Sequence, residues 1–412
     1  MKSVPLYIAL AAALPAAVAC ADPITEGKPL ASLRLRFEDV DQDGKPLDAQ
    51  ALTLRSLVGW QTKPVEGLSV TAQAGFVTPL VSDYESFKNG VVQASQATRP
   101  RVVDPSTADI NQLYLDWNPT KGLLFRAGRQ SLKLDNVRFV GNVEFRQTMQ
   151  VMDGALLEAK DFLPRLTADV GMFKGVRQIS GLYQPAAILV ANVRYAITPS
   201  LNAVAYRYGV DWKRESLVAT SARTVGLRLD GSIPLKDGWK LPLTIEYAKQ
   251  DPEGRGAATI DASYRRLGVG VQHGATTVRI DQEVLGSNKG LSAFQTPLGT
   301  NHLFQGWADL FLTTPASGID DRFATVAHKI GPVQLAAEYH VFKADRAFSS
   351  LAGTSRDYGS ELDVGATWTH KAWQAKAEIA RFNEGDPLGA ALTATTRKRD
   401  TTKLWLMLQY TL

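Results

Sequence analysis

The chain has 412 residues, 45% hydrophobic and 21% charged, with 33 glycines and one cysteine. That apolar content is too high for a chain that stays disordered, and beyond the N-terminus no apolar run reaches the roughly 18 residues of a membrane-crossing helix. The 46 Lys+Arg against 41 Asp+Glu give a net charge of +5 with no basic tail or dense stripe, which excludes the usual nucleic-acid partner.

Residues 1–21 read as an export signal. Lys2 supplies the positive start, Leu6 to Val18 a short apolar core broken by Pro15, and Ala19, Cys20 and Ala21 an A-x-A cleavage site before Asp22 and Pro23. Cys20 also invites a lipoprotein reading, disfavoured because Ala17 stands three residues before it, where lipoboxes usually carry Leu. Either cleavage leaves an exported chain without a disulfide, so its stability has to come from elsewhere.

From Asp22 onward the chain repeats segments of about ten residues in which apolar and polar positions alternate, each ended by Gly, Pro, Asn or Asp. In the first, Leu33, Leu35 and Phe37 take one face and Arg34, Arg36 and Glu38 the other. The alternation predicts eighteen strands, at 31–40, 49–60, 67–77, 108–117, 121–129, 149–159, 165–173, 187–197, 200–209, 221–231, 239–250, 261–273, 275–285, 318–330, 332–343, 357–370, 372–383 and 401–412. Links after even-numbered strands are short, such as Thr198-Pro199, Gly331 and Lys371; those after odd-numbered strands are longer, the longest being 78–107, 130–148, 286–317 and 384–400. An even strand count with short turns at one end and long loops at the other describes a transmembrane antiparallel β-barrel, with periplasmic turns and extracellular loops. Closure satisfies the same demand, because a sheet in lipid cannot leave an edge unpaired. Trp60, Trp117, Tyr195, Trp368 and Trp373 fall at strand ends, where an interfacial girdle would place them.

The last strand, Leu404 to Leu412, is apolar at every second residue counted back from its end, with Tyr410 third from last. It looks like the terminal strand read by the outer-membrane assembly machinery, although Leu412 replaces the usual Phe or Trp. Gly128-Arg129-Gln130, then Asp135-Asn136, Arg138-Phe139, Gly141 and Arg146-Gln147, resemble an early loop of the alginate-export family of outer-membrane barrels. Phe294 to Thr300 with Gly306-Trp307-Ala308-Asp309 and Phe311 to Pro315 resemble a later loop of that family. The resemblance implies a passive outer-membrane channel whose cargo is an acidic polysaccharide.

The residues carry a related expectation by themselves. Arg129, Lys133, Arg138 and Arg146 outnumber Asp135 and Glu144 in the 128–150 stretch, and Phe139 and Phe145 could anchor its loop, 130–148, against the barrel wall. Folded inward, it would narrow the pore and offer guanidinium groups to an anion; folded outward, it would meet lipopolysaccharide. Arg34, Arg36, Arg194, Arg228 and Arg266, with Lys376, lie on the polar side of strands among Glu38, Asp230, Glu246, Asp281, Glu338, Asp363 and Glu378. Each single arginine fits cross-strand pairing, while the summed field favours an anion. Arginine suits a carboxylate because its planar fork holds both oxygens.

No catalytic or metal motif accompanies the five histidines. A Ser–His–Asn grouping of Ser287 or Ser292 with His302 and Asn301 can be drawn, but loop histidines without that role are commoner. Asp39, Asp41, Asp43 and Gly44 begin like a calcium loop, yet its twelfth position is Gln50, so an Asp-Gly turn is preferred. The expectation is therefore a single outer-membrane barrel over 22–412, without enzyme activity or cofactor. It would pass hydrophilic, anionic oligosaccharides or small anions, with outer-membrane lipid and lipopolysaccharide around it. Its rivals are a general or nutrient porin and a non-conducting surface barrel that binds through its long loops.

Overall fold

The structure, a computed structural model, describes residues 25–89, 91–92, 98–350, 353–386 and 399–412; the expected signal at 1–21, Cys20 included, lies outside them. Eighteen strands form one antiparallel sheet: β1 (Lys28–Gln42), β2 (Ala49–Gln61), β3 (Leu68–Asp83), β4 (Thr107–Thr120), β5 (Leu123–Gln130), β6 (Val151–Leu163), β7 (Leu166–Arg177), β8 (Tyr183–Thr198), β9 (Leu201–Trp212), β10 (Ala222–Pro234), β11 (Trp239–Pro252), β12 (Ala262–His273), β13 (Thr276–Leu285), β14 (Ile319–Ile330), β15 (Val333–Ser350), β16 (Gly353–His370), β17 (Trp373–Glu384) and β18 (Thr401–Thr411). Each pairs with its sequence neighbours, and β1 pairs with both β2 and β18, which closes the barrel.

The alternation seen in the sequence becomes the two faces of this wall. On β1, Leu33 and Leu35 are 51% and 39% exposed, whereas Arg34, Arg36 and Glu38 are buried. Leu406 and Leu408 continue the outer face on β18, and Thr401, Lys403 and Trp405 the inner one. Apolar outside and polar inside is the arrangement a lipid-embedded barrel requires, so the molecule is an integral membrane β-barrel. Trp117, Tyr195 and Trp373 are exposed near strand ends, as a girdle demands. Trp117 stacks on Phe125 there.

All eighteen expected strands are present, and the differences are at their ends. β3 extends to Asp83 and β15 to Ser350, well past the expected ends at 77 and 343. Those extensions carry Asp83, Asp345 and Arg346, which breaks the apolar half of the pattern; a ladder rising above the bilayer no longer needs an apolar outer face. The calcium-like stretch is resolved in the same way. Asp39 and Asp41 belong to β1, Gln50 Nε2 donates to Asp39 Oδ1 across the ladder at 3.0 Å, and the connection to β2 spans only 43–48. Residues 39–50 therefore form two strand ends and a short turn, not a twelve-residue loop around an ion.

Candidate functional site

Two long connections, 131–150 between β5 and β6 and 286–318 between β13 and β14, fold against the inner face of the wall. They are bonded to each other. Gly141 N donates to Leu298 O at 2.8 Å, Thr300 N to Val137 O at 2.9 Å, and Gln150 Nε2 to Leu298 O at 2.9 Å. A buried apolar cluster forms inside the barrel rather than between layers, with Phe139 packed on Tyr206, Tyr208 and Tyr264 of the wall and on Phe294 of the other loop. Phe145 stacks on His302 and makes an edge contact with Trp405 of β18. The aromatic anchors expected from the sequence thus hold the loop, with tyrosines from the wall as their partners.

The loop's charges reach specific partners. Arg138 is fully enclosed: its Nε donates to Glu283 Oε1 at 2.8 Å, Nη2 to Gln305 Oε1 at 2.8 Å and Nη1 to Asn301 Oδ1 at 3.3 Å. Tyr264 Oη donates to the same Glu283 at 2.6 Å. Arg146 bridges Glu38 at 3.1 Å and Asp309 at 2.7 Å. Burial alone pushes the Asp309 carboxyl up, but the hydrogen bond from His302 and the charge of Arg146 override it and hold Asp309 below the usual carboxylate range. Burial also lowers the His302 imidazole, against the pull of Asp309. Asp135 joins the loop to the opposite wall, accepting from Arg194 at 2.8 Å and pairing with Arg228 at 3.0 Å. Lys133 pairs with Glu144 at 3.0 Å, and both remain about half exposed. Burial pushes the Glu144 carboxyl up; the Lys133 bond and the charges of Arg34 and Arg55 outweigh that and lower it.

Arg129 stands apart from this group. It is the penultimate residue of β5, shares the alternation of Phe125 and Ala127, and is held in a two-pronged contact with Asp153 at 2.7 and 3.0 Å. The expectation that it projects from the loop into the pore is corrected by that parity, which aims it away from the lumen. The excess of positive charge in the loop is corrected as well, because Glu38, Glu283 and Asp309 from elsewhere in the chain neutralise its buried arginines. On the wall, Arg228 also binds Asp230, Arg266 binds Asp281, Arg36 binds Glu38 and Asp104, and Lys376 binds Glu378.

Arg34 and Arg55 differ from the rest. They face each other across one rung of β1 and β2, both are buried, and neither has a carboxylate ion-pair partner among the described residues. Arg34 donates to Gln409 at 2.6 Å and to the Glu144 carbonyl at 2.7 Å. Arg55 reaches Ser32 and Gln409 through Nη2 alone, and its Nε and Nη1 find no acceptor. A cavity of about 10 Å³, close to the room one water needs, adjoins Arg55 between Asn111, Gln147 and Arg177. The sequence reading named Arg34 and missed Arg55, although Leu52, Leu54 and Thr53, Arg55 show the same alternation as β1. Asp104 and Glu283 were also missed, and Gln147 was named without its partner; they lie 68, 145 and 94 positions from Arg36, Arg138 and Thr53, their respective partners, and no local pattern could join them.

The drawn Ser–His–Asn grouping is not assembled. Ser287 Oγ donates to Ala316 O and Ser292 Oγ to Thr259 O, while His302 Nδ1 bonds Asp309 at 3.0 Å.

No protein-family model and no curated protein matches the chain. Solved structures do. Pseudomonas aeruginosa OccK5 (OpdH) superposes with a TM-score of 0.65 at 13% identity, covering 95% of this chain and all of that one. Acinetobacter baumannii OccAB3 gives a TM-score of 0.69 at 12% identity, over 94% of this chain and 100% of the other. Pseudomonas aeruginosa OpdK, solved with vanillate, gives 0.68 at 13% identity over 93% of this chain and 98% of its own. The likeness covers 93–95% of this chain and 98–100% of the others, and the closed eighteen-stranded barrel is the fold of the Occ/Opd porin structures.

Proposed function

We propose that the protein is a passive outer-membrane channel for the uptake of small hydrophilic solutes, with a preference for those that carry a carboxylate. The observation that carries this reading is the Arg34–Arg55 rung. Two guanidinium groups directly opposite each other on the inner face, with no ion-pair carboxylate among the described residues and only the more distant charges of Glu144 and Asp104 against them, leave a local positive field where the other buried arginines are paired. A guanidinium and a carboxylate at about 4 Å attract by roughly 1 kcal/mol in water and about 4 kcal/mol at an effective dielectric of 20. That range draws an anion in without trapping it, the balance that conduction requires. The vanillate in OpdK, an aromatic monocarboxylate held by a barrel of the same fold, supports a small acid over a polymer.

A polyuronate cargo is the second reading, favoured by the 128–150 stretch that resembles the alginate-export loop and that packs against the barrel interior. Single-channel recording in planar bilayers separates the two. A salt gradient should give a reversal potential of anion-selective sign, and small aromatic and aliphatic monocarboxylates should interrupt the current at lower concentration than uronate oligomers or neutral oligosaccharides. Block by uronate oligomers alone supports polymer passage. A barrel that inserts but carries no current would refute both channel readings and favour the surface-binding alternative.

A further inference from the structure

A few strands around the wall from the Arg34–Arg55 rung, past β18 and β17, lies a cluster that the channel reading does not use. Glu338 and His340 of β15 stand opposite Asp363 and Glu361 of β16 on successive inward-facing rungs, Glu338 against Asp363 and His340 against Glu361. Asp321 of β14 adds a fifth group. Asp321, Glu361 and Asp363 are completely buried, His340 nearly so, and Glu338 is the one with a partly open side. The four carboxylates meet one imidazole, with Lys403 of β18 acting on Glu361 from the side, so negative groups still outnumber positive ones.

Its geometry is that of a ligand set. Both oxygens of Asp321 lie 3.0 Å from His340 Nδ1, which fixes the proton on that nitrogen and turns Nε2 toward the cluster. From Nε2, Glu338 Oε2 is 3.4 Å away and Asp363 Oδ2 is 3.7 Å away. Ligand atoms on a tetrahedron with metal bonds of about 2.0–2.1 Å are separated by about 3.3–3.4 Å, close to these spacings. One potential ligand atom from each of Glu338, His340 and Asp363 falls within 4.8 Å of the others. The second observation is independent of these spacings: among the described residues Asp363 Oδ1 and Glu361 Oε2, both on buried side chains, are offered no donor, and the two carboxyls lie against each other, so a cation or a shared proton has to sit between them. Their other oxygens accept from Trp307 N and Ala308 N of the inward loop 286–318. Gly306, at φ +79°, lets that loop approach; a Cβ there would lie 2.5 Å from the Glu361 carboxylate.

We propose that Glu338, His340 and Asp363 bind one divalent transition-metal ion, of which zinc is the representative, with Asp321 orienting the imidazole. Imidazole with carboxylates suits zinc and its first-row neighbours, whereas calcium takes six to eight oxygens. Three protein ligands leave a fourth position for water. The ion supplies the missing positive charge and fastens loop 286–318 to the wall through the carboxylates that hold Trp307 and Ala308. The site is independent of the solute that the channel passes.

The test uses the untagged full chain, refolded in detergent and stripped with chelator. Zinc chloride titrated calorimetrically, with elemental analysis after dialysis, should give one ion per chain, and calcium chloride should bind at least a hundredfold more weakly. H340Q and D363N should weaken zinc at least tenfold, and D321N about 10- to 100-fold. Cobalt(II) on the unaltered chain should show the intense visible bands of tetrahedral coordination and lose them on adding zinc, which needs no variant to fold. Substoichiometric zinc, or H340Q binding as tightly as the parent, means adventitious metal only and overturns the proposal. So does an infrared carboxylic-acid band at neutral pH that D363N removes while the parent takes up no zinc, because a shared proton would then balance the cluster.

Discussion

Arg138 and Glu283 show how the barrel manages charge at single positions. Both side chains are essentially inaccessible, and each is bonded by further groups, Gln305 and Asn301 on one side and Tyr264 on the other. Removing one member of such a pair leaves a buried charge unmatched, which costs about 3–5 kcal/mol, while replacing both with apolar residues of similar size is often close to neutral. E283Q should therefore lower the urea midpoint of the refolded barrel far more than the double variant R138M/E283L, and equal losses would mean that the pair is not coupled. His302 gives the pH dependence. Its buried imidazole titrates below the usual value, so as the pH falls below about 6.5 the unfolded chain binds a proton that the folded one refuses. Stability from this group is complete above that pH and declines below it. Asp309, whose carboxyl is lowered, contributes in full above the ordinary carboxylate value of about 3.9 and loses that contribution as the pH falls from there through its own depressed value. Unfolding midpoints between pH 7 and pH 5 should accordingly fall in the parent and flatten in H302Q; an unchanged slope would remove His302 from the account.

At the scale of the element, each strand is two chemical surfaces. Leu227 of β10 is 67% exposed on the outer face, and the next residue, Arg228, is buried on the inner one with Asp135 and Asp230 as partners. A cation is therefore tolerated or excluded according to parity alone. L227R should cost about 2–4 kcal/mol of barrel stability near the bilayer midplane, measured by urea titration in lipid vesicles; a negligible loss would contradict the assignment of that face to lipid. Loop 131–150 behaves as a different kind of element, held from within by Phe139 among wall tyrosines. Phe139→Ala removes that anchor, a truncation that costs about 3–5 kcal/mol in a packed core. Single-channel records of this variant should show added current noise and larger conductance as the loop loosens, and records identical to the parent would show that the loop is held by its ion pairs alone.

At the scale of the molecule, selectivity and closure are collective. The Arg34–Arg55 rung is an inward-facing pair of guanidinium groups with no ion-pair carboxylate among the described residues, so R55Q, which deletes a charge and keeps the polar shape, should reduce the anion-to-cation permeability ratio several-fold, about 1 kcal/mol of field. The same substitution at Arg266, already matched by Asp281 at 3.2 Å, should change it much less. Two variants of equal effect would place selectivity in the net charge and not in that rung. Closure depends on β18, which gives the ladder partners of both β1 and β17. Removing residues 401–412 should abolish the heat-modifiable band on SDS gels that reports a closed barrel, since two strand edges would be left open in lipid.

The sequence by itself determined the wall: eighteen strands, their faces, their alternating links and the closing strand. Lipid imposes a period of two on every crossing segment, and a period is a local property that survives in the chain written as a line. Arg34, Arg36, Arg194, Arg228 and Arg266 were legible as inward-facing for the same reason. Tertiary structure decided what those residues meet. Glu283 meets Arg138 across 145 positions, Asp309 meets Arg146 across 163, and Arg34 is left beside Arg55 with no ion-pair carboxylate among the described residues. The array around His340 needs three strands and an inward loop before it exists at all. Charge pairing acts through space and carries no period, so which arginines are neutralised and which remain to draw a solute is fixed only when the barrel closes and its loops turn in.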